Sequence, residues 1–238
     1  MFLRAEVDVV QSVTATFESA AQSTEATKFQ NYPSGSGINP VSTNNHTAGG
    51  TYSQYLNGGY IGKVGLAKSY KVFPGDVVSI EAYGKYSNLS SNNSNLAGFA
   101  TALLTAFNLA PPGVGEAGTA SAAVNNWGAI EATGYGDGST DNSAPKAFVN
   151  IIIYDKNYNL LDVAFAQMTT ASATAPTLMS STYKIKEAGY AYMYVSNEHP
   201  TLVDVYYDDV KMSYTPGNVI QANEYYPFEG YGGDVYFK

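Results

Sequence analysis

The feature that most limits what this chain can fold into is a hydrophobic period of two. In Asp76-VVSIEAYGKY, Val78, Ile80 and Ala82 alternate with Ser79, Glu81 and Tyr83. Alternation of this kind puts one set of side chains on each face of an extended strand, so the segment predicts a half-buried strand. The same reading extends along the second half of the chain. Lys146-AFVNIIIYDKNYNLLDVAFAQM predicts two strands, with Val149, Ile151 and Ile153 on one face of the first and a turn at Asp155-Lys-Asn157. Tyr183-Lys-Ile185, a turn at Glu187-Ala-Gly189, and Tyr190-AYMYVS follow. Val203-DVYYDDVKMSY is the last clear strand. Turn signals recur every 8–15 residues with no helix between successive strands, which excludes a parallel α/β sheet and points to an all-β sandwich of about eight to ten strands.

Two stretches depart from this pattern. Residues 31–51 are polar and rich in turn formers, and read as a long loop. In residues 96–127, Leu96, Phe99, Leu103 and Phe107 recur three or four apart, the spacing of a helix that Pro111-Pro112 would end. A second short helix is expected over Ala117–Asn126, before Trp127. The region 88–145 is thus expected to be a small helical insertion between two sandwich strands, covering an open end of the sandwich or contacting a partner.

Composition removes whole classes of chemistry. There is no cysteine, so no disulfide framework, thiolate metal site or Cys nucleophile. Twelve basic residues against twenty acidic ones, with Arg4 the lone arginine, argue against nucleic acid, where counterion release needs clustered cations. No run reaches the roughly 18 apolar residues of a membrane span, so a membrane partner is not expected. The opening MFLRAEVDVVQ lacks the apolar stretch of a signal peptide. Gly-x-Ser-x-Gly is absent, and Gly113, Gly115 and Gly118 follow Pro-Pro rather than a strand, so neither a nucleophile elbow nor a dinucleotide loop is indicated. His46 and His199 fall in a loop and a turn, without a visible partner. Asp137, Ser139 and Asp141 lack the glycine and glutamate that an EF-hand loop needs. The chain is therefore read as non-catalytic.

The order of segments resembles the jelly-roll, galactose-binding-like superfamily of carbohydrate-binding modules. The residues that carry the likeness are Phe17-Glu18, His46-TAGGTYSQYL, Gly65-LAKSYKVFPGDVVSIEAYGKY and the closing Val205-YYDDVKM. Pro145-KAFVNIIIYDKNYNLLD, Ala188-GYAYMYVSNE and Val203-DVYYDDVKM also look like a module of the very large Rhs/YD-repeat proteins of Bacteroidetes-type bacteria, and Val219-IQANEYYPF like the segment that follows it. There Tyr-Tyr-Pro-Phe is normally followed by Gly, whereas here Glu229 follows. The resemblance implies a jelly-roll β-sandwich over 1–218 and an Rhs-like tail over 219–238. It implies an extracellular or cell-surface module, part of a larger precursor, that packs on a YD-repeat shell or a protein partner. The alternative is a true carbohydrate-binding module.

Two sets of candidate residues follow. By the resemblance, a structural Ca²⁺ would tie the first strand to the last through Glu18 and Asp209, with Asp208 as the alternative. Neighbouring residues on a strand face opposite ways, so only one of the two aspartates points inward. For a glycan, flat aromatic rings would supply the platform. Tyr83 and Tyr86 are expected on or near the face opposite Val78 and Ile80, with Tyr52, Tyr55 and Trp127 lining the same surface. Most of the 21 tyrosines are expected to pave a sheet.

Overall fold

The computed structural model describes residues 10–33, 40–57, 63–89, 143–199 and 201–217. The helices expected within residues 96–127, Trp127, the loop 137–141 and the tail 219–238 lie outside them.

The described residues form nine strands: β1 (Gln11–Ala15), β2 (Gln54–Leu56), β3 (Val64–Val72), β4 (Val77–Ser87), β5 (Ala147–Asp155), β6 (Leu160–Gln167), β7 (Thr177–Lys184), β8 (Gly189–Asn197) and β9 (Asp204–Thr215). A single helical turn, α1 (Gln22–Glu25), follows β1. The strands make two antiparallel sheets, one ordered β1-β9-β4-β7 with β2 also on β9, the other ordered β3-β8-β5-β6. After β3 the chain crosses between sheets at each step except the β5–β6 hairpin. This is the all-β sandwich expected from the alternation, and the fold class, a jelly-roll sandwich, that the resemblance implies. None of the described helices is long and apolar enough to cross a membrane.

Side-chain parity builds the core. On β4, Val78, Ile80, Ala82 and Tyr86 point inward; on β9, Val205, Tyr207, Val210 and Met212 do; on β5, Val149, Ile151 and Ile153; on β8, Ala191, Met193 and Val195. Tyr207 ties the two layers together. Its hydroxyl donates to the Ser196 carbonyl at 2.8 Å and reaches that of Phe148 at 3.3 Å, both in the opposite sheet.

β4 begins at the turn Pro74-Gly75. Gly75 has φ of 94°, which glycine adopts without steric cost. The Asp76 carboxylate accepts from Phe73 N–H at 2.7 Å and closes the turn. Where β4 meets β9 the register slips: Glu81 faces Lys211, but Tyr83 faces Asp208. Two steps on β4 thus match three on β9. The extra residue makes a β-bulge around Asp209, whose φ is 47°.

Candidate functional site

The bulge coincides with a change of neighbour. Along its outer edge β9 pairs with β1 up to Val210 opposite Ala15, and with β2 from Tyr207 opposite Gln54. Asp208 and Asp209 sit in the gap between the two short strands. There the ladder is interrupted, and side-chain oxygens take over the backbone donors. Asp208 Oδ2 accepts from the backbone N–H of His46 at 2.6 Å and of Thr47 at 2.9 Å. The Thr47 hydroxyl donates to Asp209 Oδ1 at 2.8 Å, and His46 Nδ1 to Asp209 Oδ2 at 2.7 Å. At the other end of the same loop, Glu18 Oε1 accepts from Thr51 N–H at 2.7 Å and Tyr52 N–H at 2.9 Å. A Cβ at Gly50 would collide with that carboxylate. Three acids therefore clasp the loop 46–52 onto the end of β1 and the bulge of β9.

Burial pushes the Asp208 carboxyl above its ordinary range; the N–H donors of Thr47, His46 and Asp209 offset part of this, and the Asp209 charge adds to it. These acids have the hard oxygens that calcium prefers, and the Asp208–Asp209 pair concentrates negative charge. In the described arrangement, however, Glu18 and Asp208 hold opposite ends of the loop through N–H donors. Among the described residues, no three His, Asp or Glu side chains converge as a metal-binding group.

His46 has a second contact. Its ring lies parallel to that of Tyr83, with centroids 3.3 Å apart and an interplanar angle of 7°. Tyr83 does point away from the core, as expected, but one of its ring faces is covered.

Further along the same outer face lies an aromatic pair. Tyr206 is opposite Tyr55 on one side and Lys85 on the other. The Tyr55 and Tyr206 rings sit 5.4 Å apart, tilted by 34°. The Tyr55 hydroxyl donates to Asp204 Oδ1 at 2.6 Å and accepts from Asn57 Nδ2 at 3.0 Å. Asn88 Nδ2 donates to Asp204 Oδ2 at 2.7 Å. Burial, then the bond to Asp204, raise the Tyr55 hydroxyl pKa, so it remains a neutral donor. Two half-buried rings, a lysine, a carboxylate and two amides thus share one surface. Leu178, next to Tyr83 across the β4–β7 pair, is 56 % exposed beside it.

Two expected surface residues are placed differently. Tyr86 shares the parity of Val78 and Ile80, not the opposite one, and is 6 % exposed within the core. Tyr52 packs its ring against the same core, while its N–H binds Glu18. Neither belongs to the outer surface, which corrects their placement. Tyr55 and Tyr83 share that surface, and Trp127 lies outside the described residues. The sequence reading places Tyr206 with Tyr207 among the tyrosines that pave a sheet face and does not single out Asp204 or Lys85. Parity held the signal for Tyr206: Val205 and Tyr207 face inward, so Tyr206 faces out. His46 gained its partners only through the loop's path. His199 is buried, its Nδ1 accepting from Lys146 N–H at 3.3 Å.

No family model and no curated protein matches the chain. Solved structures similar to it include two carbohydrate-binding-module structures. One is described as a family 16 carbohydrate-binding module, at 12 % identity and a TM-score of 0.38, covering 73 % of this chain and 82 % of that one. The other holds the CBM22-1 and GH10 modules of xylanase 10B from Clostridium thermocellum, complexed with xylohexaose. Its identity is 11 % and its TM-score 0.38, covering 82 % of this chain and 28 % of that one. The fold is read from the two sheets themselves.

Proposed function

We propose that this chain is a non-catalytic binding module that takes a glycan on the outer face of the five-stranded sheet. The observation that carries the proposal is the Tyr55–Tyr206 pair, held between Lys85 and the Asp204–Asn57–Asn88 network. A sugar ring offers apolar C–H faces to aromatic rings and hydroxyls to carboxylates and amides. Asp204 fixes Tyr55, so the platform is partly preorganised, which lowers the ordering cost of binding. A glycan array with the purified chain tests this. A hit that Tyr206→Ala and Tyr55→Ala each weaken at least tenfold supports it. An array with no hits, or hits indifferent to both substitutions in folded variants, refutes it.

A second proposal is an interaction module of an Rhs/YD-repeat-type surface or secreted protein. Its support is the resemblance of residues that form β5, β8 and β9, together with Val219–Phe228. A YD-repeat shell encoded after this segment, and co-purification with that shell, would favour it. For the clasp we propose a structural part, and a calcium ion held by Glu18 and Asp209 is its metal-dependent form. Calcium raising the melting temperature, with Asp209→Ala abolishing the rise, supports the ion. Identical melting in calcium and EDTA leaves the clasp to hydrogen bonds alone.

A further inference from the structure

The platform around Tyr55 and Tyr206 contains one charged group that the fold leaves unused. Lys85 lies on β4 opposite Tyr206 and is half-buried on the outer face of the five-stranded sheet. Its diagonal neighbours across the β4–β9 ladder are two acids, Asp204 opposite Ser87 and Asp208 opposite Tyr83. Other donors hold both. Asp204 accepts from the Tyr55 hydroxyl at 2.6 Å and from Asn88 Nδ2 at 2.7 Å, one on each oxygen. Asp208 Oδ2 accepts from the N–H groups of His46 and Thr47 at 2.6 and 2.9 Å. Among the described residues, the Lys85 ammonium makes no hydrogen bond, ion pair or ring contact. Other lysines differ: Lys211 reaches Glu81 at 3.5 Å, Lys186 reaches Asp162 at 3.1 Å, and Lys68 and Lys71 lie over the rings of Tyr70 and Phe73.

We propose that Lys85 determines the specificity of this platform, and that the glycan it selects is an otherwise neutral oligosaccharide carrying a single uronic acid. The inference rests on the glycan reading and names its substrate class. An ammonium has three N–H donors and no acceptor, so whatever meets Lys85 must bring acceptors. A ligand that covers Lys85 also strips water from a charge, and that cost is offset only by a strong partner. A carboxylate is such a partner, because charge-assisted hydrogen bonds are about twice as strong as neutral ones. Asp204 plays the other part: its oxygens are engaged by Tyr55 and Asn88, so it orients the platform while Lys85 reads the ligand. The surrounding charge limits the ligand to one acidic group. Asp204, Asp208 and Asp209 lie along the same stretch of β9, Lys211 is turned to Glu81, and the whole chain carries a net charge of −8. A second carboxylate therefore meets repulsion with no free cation beside it, and a polyanion meets it over its whole length.

The test compares neutral oligosaccharides with the same oligosaccharides bearing one glucuronic acid, and with polygalacturonate as a polyanion, first on an array and then by isothermal titration with the full chain. The mono-uronate is expected to bind at least tenfold more tightly than its neutral counterpart. Lys85→Met keeps the aliphatic stem and removes the charge; it should abolish that advantage while changing neutral binding less than twofold. Lys85→Arg should restore most of the advantage, and raising NaCl from about 0.05 to about 0.5 M should shrink it. Thermal melts confirm that the variants fold, and Lys85→Gln replaces Lys85→Met if that variant does not. Equal binding of neutral and uronate forms, a uronate preference that survives Lys85→Met, or polygalacturonate as the tightest ligand each overturns the inference. If such binding is still lost in Tyr206→Ala, the platform itself stands. An array without hits that depend on Tyr206 overturns the platform and this inference together.

Discussion

Two adjacent tyrosines, Tyr206 and Tyr207, differ in what they do, and removing one oxygen from each measures the difference. Tyr207 is 0 % exposed. Its hydroxyl makes one good bond, 2.8 Å to the Ser196 carbonyl, and one marginal bond, 3.3 Å to that of Phe148. Tyr207→Phe keeps the ring and its buried area, so the hydrophobic term is nearly unchanged. What is lost is about 0.5–1.5 kcal/mol for the net bond, and up to about as much again for the carbonyl left without that partner in a dry site. The expected destabilisation is about 1–2.5 kcal/mol. At roughly 2–4 °C per kcal/mol for a chain of this size, the melting temperature falls by about 2–10 °C. Tyr206→Phe removes a hydroxyl on the outer face and is expected to stay within about 0.5 kcal/mol. Urea unfolding followed by circular dichroism reads both, with the m-value as a check that the denatured state is unchanged. Equal effects for the two substitutions, or a loss under about 0.5 kcal/mol for Tyr207→Phe, would refute the assignment of Tyr207 as the hydrogen-bonded tie between sheets.

Three further outcomes follow from the same geometry. Burial pushes the Asp162 carboxyl up, but bonds from the Tyr183 hydroxyl at 2.7 Å, Lys186 Nζ at 3.1 Å and Val163 N–H outweigh it and hold the pKa below the ordinary value. Its stabilisation is therefore complete above the unfolded pKa of about 4 and is lost as pH falls below that; Asp162→Asn should flatten this acid limb in a pH series of urea midpoints. Gly50→Ala should push the Glu18 carboxylate off the Thr51 and Tyr52 amides and lower stability by about 1–3 kcal/mol, and a melting curve that overlays the parent's would count against the clasp. Asp208→Ala should release the backbone N–H groups of His46 and Thr47 from β9 and leave their side-chain bonds to Asp209, so limited proteolysis is expected to nick residues 43–52 in this variant sooner than in the parent; equal rates would show that the Asp209 bonds suffice to hold the loop.

The strands were legible because burial is local information in a sandwich. In β4, alternate positions enter the core from Val78 to Tyr86, and the alternation is written directly into the residues. β5 was read only in part. Val149, Ile151 and Ile153 do face the core, but Phe148, Ile152 and Tyr154 are buried on the other side, so a two-faced strand passed for a one-faced one. β1 and β2 are three to five residues long and leave too few alternations to detect. Tyr86 was assigned to the wrong face although its even spacing from Val78 already placed it inward.

The candidate site was less legible because it is a product of register. Tyr55 becomes a neighbour of Tyr206, and Tyr206 of Lys85, only once β2, β9 and β4 align. His46 meets Tyr83 and Asp209, far along the chain, because a bulge breaks the ladder of β9 where β1 gives way to β2. The sequence by itself determined the class of fold and the chemistry excluded, since side-chain period and residue inventory need no knowledge of contacts. The tertiary structure alone decided which tyrosines are structural, which form a surface, and which acids hold a loop. Those roles depend on pairing between segments more than a hundred residues apart, and no local pattern encodes a pairing.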